Sequence, residues 1–279
     1  MKLNIPIEET IRKRTSIRTY DSKKLSENDK IQLMKEINQL TNPFGEEVRI
    51  HFIEKDEATN GEKLGTYGVI KGAKTYLGVT TKKNELGLVA AGYQFENLVL
   101  IATNMGLATV WLAATFSRSQ FEKAMDIRED ELFPAVSPIG YAATKKSLTE
   151  SLMRKTMKSD KRKPWNEIFF FDSFGASLSK EEAKEFANPL EMLRLAPSAT
   201  NAQPWKVVKK NGAYHFFESH ERNTKSEEIM IKMVDVGIAL SHFHQTALEY
   251  GLEGKFEKKN NLDIDLPEYT NYIISWMSL

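Results

Sequence analysis

Two short stretches hold most of the residues whose types and spacing could do chemistry. The first, "KRTSIRTY" at residues 13–20, sets Arg14, Ser16 and Arg18 at alternate positions. In an extended backbone, alternate side chains share a face, so two guanidiniums and a hydroxyl would point one way. That arrangement receives an anionic, oxygen-rich ligand, because the guanidinium fork matches phosphate and carboxylate geometry. An ordinary solvated basic face fits the same composition. The second stretch, "APSATNAQPWKVV" at residues 196–208, reads as a helix end, a polar turn and a strand start. Ala196 and Pro197 stop the helix, and Ser198, Thr200 and Asn201 are turn formers. The turn carries more short hydrogen-bonding side chains than a connector needs.

Longer patterns must position these stretches. Apolar periodicity predicts helices at 27–40, 88–105, 118–125, 180–195 and 232–250, with a short helix near the N-terminus. Strands are expected at 48–54, 75–80, 136–142, 206–209, 213–217 and 271–276, an α+β reading. The helix at 88–105 is apolar nearly all round and should be buried at the centre of the fold. No uninterrupted apolar run exceeds the length of Leu98–Ala102, far short of a membrane span.

Among 279 residues, 39 Lys and Arg stand against 38 acidic residues, a net charge of +1 that gives no pull toward nucleic acid or anionic membrane. There is no cysteine, which excludes disulfides, thiolate metal sites and cysteine nucleophiles. The N-terminal "MKLNIPIEET" has no signal-peptide pattern, so a cytoplasmic location is expected. His242 and His244 lie two apart on a helix, face different sides and make a poor metal pair. His215 and His220 are expected as surface histidines. Neither the dinucleotide-binding nor the P-loop glycine motif is present.

The chain also echoes itself. "AGYQFENLVLIATNMGL" (91–107) parallels "VGIALSHFHQTALEYGL" (236–252), with Gly92, Gly106 and Leu107 standing 145 residues before Gly237, Gly251 and Leu252. "IPIEETI" (5–11) resembles "KPWNEIF" (163–169), and "KLSENDK" (24–30) resembles "SLSKEEA" (177–183). Two diverged copies are expected, at 1–150 and 151–279, joined around residues 145–163. That segment is basic; most of it reads as a solvated linker, although Lys161-Arg162-Lys163 could also meet a phosphate.

Taken together, "KRTSIRTY" and "APSATNAQPW" resemble the two signature stretches of the nitroreductase family, and the long central helix ending in Gly-Leu fits the same family. The likeness is to its fused, Thermotoga-type members. It implies an α+β nitroreductase-like fold and FMN as cofactor. NADH or NADPH would deliver hydride, and a small-molecule acceptor such as a nitroaromatic or quinone would receive it. Ordinary members are intertwined dimers in which each FMN is held by the Arg/Ser motif of one subunit and the Pro-Ser-Asn loop of the other.

By that resemblance, Arg14 and Ser16 bind ribityl and phosphate oxygens, Thr15 contributes through its backbone, and Arg18 sits beside the N1–C2=O edge of the flavin. Arg162 is the candidate for the further basic residue that reaches the phosphate. Pro197, Ser198, Ala199 and Asn201 line the flavin's other side; Ala199 stands where serine is common. Ala113 and Ala114 allow close approach of backbone to the ring.

The chain departs from the family pattern in one respect. The first copy has "QLTNPFGEEVRI" where its loop should be, and the second has Asp172, Phe174 and Ala176 in place of the basic motif. One composite site, one FMN and an active monomer are therefore expected. The other reading is an FMN-binding or storage protein without turnover. No protein acid or base is required, since water or the flavin can supply protons.

Overall fold

In the computed structural model, which describes residues 1–54, 64–145, 147, 150, 156 and 161–278, the all-round apolar helix lies at the centre. The helices are α1 (Ile7–Lys13), α2 (Glu27–Gln39), α3 (Glu85–Asn104), α4 (Arg118–Met125), α5 (Lys180–Ala183), α6 (Ala187–Arg194) and α7 (Ser226–Glu249). The strands are β1 (Val48–Glu54), β2 (Thr75–Lys82), β3 (Ala108–Thr109), β4 (Glu131–Gly140), β5 (Phe169–Phe171), β6 (Trp205–Lys210), β7 (Ala213–Ser219), β8 (Gly254–Glu257) and β9 (Thr270–Ser278). The mixed helix-and-sheet reading therefore holds.

Every residue of α3 from Gly87 to Thr103 is buried. Among the described residues, α3 alone is long and apolar enough to cross a membrane, and it is enclosed by the protein. Asn84 caps its start by accepting from the Gly87 N–H at 2.6 Å. Gly106, at φ +81°, ends it, and the Leu107 N–H returns to the Ala102 carbonyl at 2.8 Å. α7 ends in the same way, with Gly251 at φ +71° and the Leu252 N–H on the Ala247 carbonyl at 2.9 Å. Glycine meets the positive φ that this closure requires.

The two long helices cross at their glycines. A Cβ on Gly92 would stand 2.1 Å from the Val234 carbonyl oxygen, and one on Gly237 would stand 2.0 Å from that of Val89. The contacts are reciprocal, since Val89 and Gly92 stand to Val234 and Gly237 at the same 145-residue offset. The polar contacts further along repeat the exchange. His242 Nε2 lies 3.0 Å from Glu96 Oε1, and Ser241 Oγ donates to Asn97 Oδ1 at 2.8 Å.

A sheet flanks each long helix. The first runs β1-β2-β4-β3 and the second β5-β6-β7-β9-β8. Without β5, the second repeats the strand order of the first. All pairings are antiparallel except β5 with β6, which run parallel. The cores interpenetrate. Leu88, Val89 and Tyr93 of α3 belong to the apolar cluster under the second sheet, and Met192 of α6 belongs to the cluster under the first.

Two expectations change. The helix at 180–195 is broken: Ser179 and Glu182 close a capping box around α5, Lys184 takes φ 52°, and α6 starts afresh at Ala187. Pro189 explains the break, because inside a continuous helix its ring would clash with the carbonyl four residues back; it is tolerated in the first turn of α6. The short strands β3, β5 and β8 fall below the length at which period-2 alternation can be read. The expected boundary at 150/151 abuts residues 151–155, which lie outside the described residues, as does most of 145–160.

The crossing yields a test of packing. Gly92→Ala gains about 1 kcal/mol in helix propensity, but its methyl would overlap the Val234 carbonyl, and overpacking of this kind costs about 1–3 kcal/mol or more. A net loss of stability is expected in urea denaturation. An unchanged or higher midpoint would contradict the close crossing.

Candidate functional site

One cleft gathers the candidate residues. It encloses about 620 Å³ and is lined by Arg14, Thr15, Ser16, Arg18, Ala113, Ala114, Arg162, Pro197, Ser198, Ala199 and Asn201 together. The volume suits a small organic ligand. Residues separated by more than 180 positions in sequence thus share a wall.

The Arg/Ser stretch is held from both ends. Glu249 of α7 accepts from the Ile7 and Glu8 N–H groups at 2.7 and 3.1 Å, placing a carboxylate at the start of α1. α1 ends as the Arg14 N–H reaches the Thr10 carbonyl. The chain then extends: Ser16 bridges Thr109 in parallel, the Ile17 N–H donates to the Thr109 carbonyl, and the Arg18 carbonyl accepts from the Lys71 N–H. Ile17 packs into a separate apolar cluster on the other face of the first sheet, with Tyr76 and Val136, while Arg14, Ser16 and Arg18 line the cleft.

The segment after β3 forms another wall. Leu112 makes an isolated bridge to Val136, and Trp111, Leu112, Ala113 and Ala114 face the cleft. Opposite Thr80, the β2–β4 register slips, so that Phe133 and Pro134 occupy a bulge. Pro134 has no N–H to leave unsatisfied there, and it lines the cleft beside Ala135.

The late loop is strained and stitched. Thr200, Asn201 and Gln203 take φ of 51°, 59° and 48°. Such backbone costs on the order of 1 kcal/mol or more per residue and persists where surroundings enforce it. Ser198 Oγ accepts from the Gln203 N–H at 2.9 Å, Gln203 Oε1 accepts from the Lys163 N–H at 2.8 Å, and Asn201 Nδ2 donates to the Lys161 carbonyl at 3.0 Å. Gln203 therefore ties the loop to residues 161–163, and Trp205 is buried in the core. Arg162 is held across the same joint: it donates to the Leu195 carbonyl at 3.0 Å and lies 3.4 Å from Asn201 Oδ1.

A buried network supports the cleft from below. Glu96, 0% exposed, accepts from Trp111 Nε1 at 2.6 Å and lies 4.0 Å from Arg14 Nε. His242 Nδ1 lies 3.0 Å from the Met192 carbonyl, which can only accept, so Nδ1 carries a hydrogen. His242 Nε2 and Glu96 Oε1 then share one proton across 3.0 Å. The network fixes one cleft cation and one cleft aromatic from a single buried carboxyl.

The sequence reading missed four participants: Glu96, Trp111, Lys232 and Asp235. Glu228, Ile231, Lys232, Asp235 and Ile238 form one face of α7 along the cleft. Their helical spacing was the available signal, with Asp235 standing inside the apolar run "MVDVGIAL". Asp235 is buried, and both its oxygens accept from the Ala199 N–H, at 3.0 and 3.2 Å. Burial pushes its carboxyl up to about 8, against the opposing pull of the Ala199 N–H and the Lys232 charge. Arg12, Arg14, Arg18, Arg162 and Lys232 thus share the cleft lining with two carboxyls, Glu228 and Asp235, so cationic side chains predominate there.

The histidines divide. His215 is buried against Ser275 Oγ at 2.6 Å, which corrects its surface assignment: Ser275 stands beside it on the neighbouring strand β9, and Lys210, Met277, Lys259 and residues 261–264 surround the same spot. His220 is half-buried on Glu218. His244 faces Tyr93, and its ring nitrogen is pushed down to about 3 by burial, then by the N-terminal charge. No group of three potential metal ligands occurs among the described residues.

Comparison with known proteins identifies the family and the fold. A family model described as "Putative TM nitroreductase" matches residues 6–247. The crystal structure of a nitroreductase from Thermotoga maritima, 23% identical, aligns over 99% of this chain and 95% of its own, with a TM-score of 0.63. A nitroreductase with bound FMN from Desulfitobacterium hafniense, 19% identical, aligns over 50% of this chain and 89% of its own at a TM-score of 0.41. No curated protein matches.

Glu96→Ala should destabilise the protein by about 3–5 kcal/mol, the usual consequence of stranding one partner of a buried pair. Guanidinium denaturation measures it. A loss under about 1 kcal/mol, the scale of an exposed pair, would show that the network is not a support.

Proposed function

The chain belongs to the family of Thermotoga-type nitroreductases, and on that premise we propose that it is an FMN-dependent NAD(P)H oxidoreductase acting on a nitroaromatic or quinone-like acceptor. One observation carries the reading: Arg14, Ser16 and Arg18 meet the Pro197–Asn201 loop across a single cleft. The residues present fit FMN. Arg14, Arg162 and Lys232 suit a phosphate of charge near −2, Ser16 and Ser198 suit hydroxyl-rich ribityl, Arg18 suits the polar edge of the ring, and Trp111, Leu112 and Ala113 offer an apolar wall.

Bound there, FMN would supply the two-electron chemistry between the nicotinamide and the acceptor. The chain's own residues hold and orient. Arg14 is braced by Glu96, so its charge is preorganised. Arg18 places a fixed cation beside the edge on which negative charge accumulates on reduction, which favours the reduced form. The stitched loop closes the opposite side without having to order on binding.

In this reading, residues 1–150 and 151–279 act as the two subunits of an internal pseudo-dimer, and the protein works as a cytoplasmic monomer without nucleic acid or membrane. The reciprocal contacts at Gly92 and Gly237 support it, because an isologous interface exchanges partners in just this way. So does the fate of the second position. Phe256 stands 145 residues after Trp111. Phe44, from the loop that replaces the Pro-Ser-Asn stretch, packs on Phe256 and Tyr93 at centroid distances of 5.3 and 5.4 Å. Asp172 is exposed and Phe174 packs on Phe217, so a phosphate would meet an aspartate where the working half has Arg14.

Absorbance of the purified protein with added FMN, before and after anaerobic NADH or NADPH, tests the reading. A flavin spectrum that bleaches supports an enzyme; a bound but unbleached flavin would favour a binding protein; no uptake would overturn both. Arg18→Ala should weaken FMN binding by about 1.5–3 kcal/mol, as for a hydrogen bond to a charged group, and lower the flavin potential. Asn201→Ala should weaken it by about 1 kcal/mol. Fluorescence titration that finds both variants equal to wild type would remove these residues from the site.

A further inference from the structure

Two carboxyls that the proposed chemistry does not use line the cleft, the exposed Glu228 and the buried Asp235, and the surroundings of Asp235 are unusual. It is 3% exposed and lies in the cleft lining. One donor, the Ala199 N–H, serves both of its oxygens. A buried carboxylate with a single neutral donor is poorly compensated, because an ion in that setting needs a counter-charge or several hydrogen bonds. Resting on the reading above, we infer that Asp235 is the proton donor to the acceptor in this cleft.

The chemistry balances. Hydride arriving on a quinone brings two electrons and leaves a negative charge on one carbonyl oxygen. The Asp235 O–H bond breaks, its proton bonds to that oxygen, and the bonding pair stays on the carboxylate. The product is the hydroquinone, and a solvent proton restores the acid. A nitro group needs the same supply, since its two-electron reduction also consumes a proton as water leaves. The Ala199 N–H holds the carboxylate after transfer and aims its remaining lone pairs.

Six charged side chains share the cleft with Asp235. Its own helix brings Glu228 and Lys232 to the cleft, and Lys232 pulls its pKa down. The N-terminal segment brings Arg12, Arg14 and Arg18, and the 161–163 joint brings Arg162. The loop 197–202, the wall 110–115, Pro134 and Ala135 of β4, and Leu88–Gly92 of α3 contribute no ionisable side chain. Desolvation dominates, and the carboxyl stays protonated at neutral pH, titrating near 8.

Two measurements test the inference. Infrared titration of the FMN-free protein should show a protonated-carboxyl band at pH 6.5–7 that fades as pH rises through about 8 and is missing from Asp235→Asn. Stopped-flow mixing of the reduced holoprotein with a quinone should give a rate that falls across the same pH range. In Asp235→Asn that step should be about 10²-fold slower at pH 7 and lose its pH dependence, while flavin content and reduction by NAD(P)H remain. Absence of the band at pH 6.5–7, or an Asp235→Asn protein that reoxidises at the wild-type rate, overturns the proton-donor role. Failure of the wild type to take up FMN overturns the function proposed above instead, and the infrared titration still reads the state of Asp235.

Discussion

The backbone-to-backbone crossing of α3 and α7 sets the rest of the structure. Gly92 and Gly237 let the helices approach until each carbonyl row touches the other helix, a separation that any side chain at either position would forbid. At that distance the polar residues beyond the crossing meet in pairs, Glu96 with His242 and Asn97 with Ser241. The same approach draws the second half's helix face, Glu228 to Ile238, against the first half's strand and wall segments. The cleft is the space left between them.

The site's electrostatics follow from that geometry. Glu96 is buried because α3 is enclosed, and its polar neighbours are His242, Trp111 and Arg14. Asp235 is buried on the other long helix with one donor, and burial pushes its carboxyl up to about 8. Two carboxyls on crossing helices therefore play different parts. One joins a cation and an aromatic of the cleft lining; the other lies in the wall with a raised pKa. Burial alone does not separate them; the number and charge of their partners does.

Much of this was legible in the sequence where local periodicity is strong. The α3 pattern, the Gly-Leu helix ends, most long strands and the two site stretches stand out because each obeys a short-range rule. The broken helix at 180–195 was not, since the apolar spacing runs on through Pro189 and the break appears only when the ring's clash is weighed. Glu96 and Asp235 were hidden for a different reason. In a single sequence a carboxylate amid apolar residues gives no sign of its partner, and His242 and Ala199 stand 146 and 36 residues from Glu96 and Asp235. The cleft-facing first turns of α7 were also missed, because the helix was expected to begin at residue 232 and starts six residues earlier.

In the proposed function one chain builds one FMN site from its two halves. Sedimentation velocity recorded at both the protein and flavin absorbances, after saturation with FMN and removal of the excess, tests it most directly. A single species of about the chain's 31.9 kDa carrying one flavin is expected. Two flavins per chain would contradict it, as would flavin confined to a species of twice that mass.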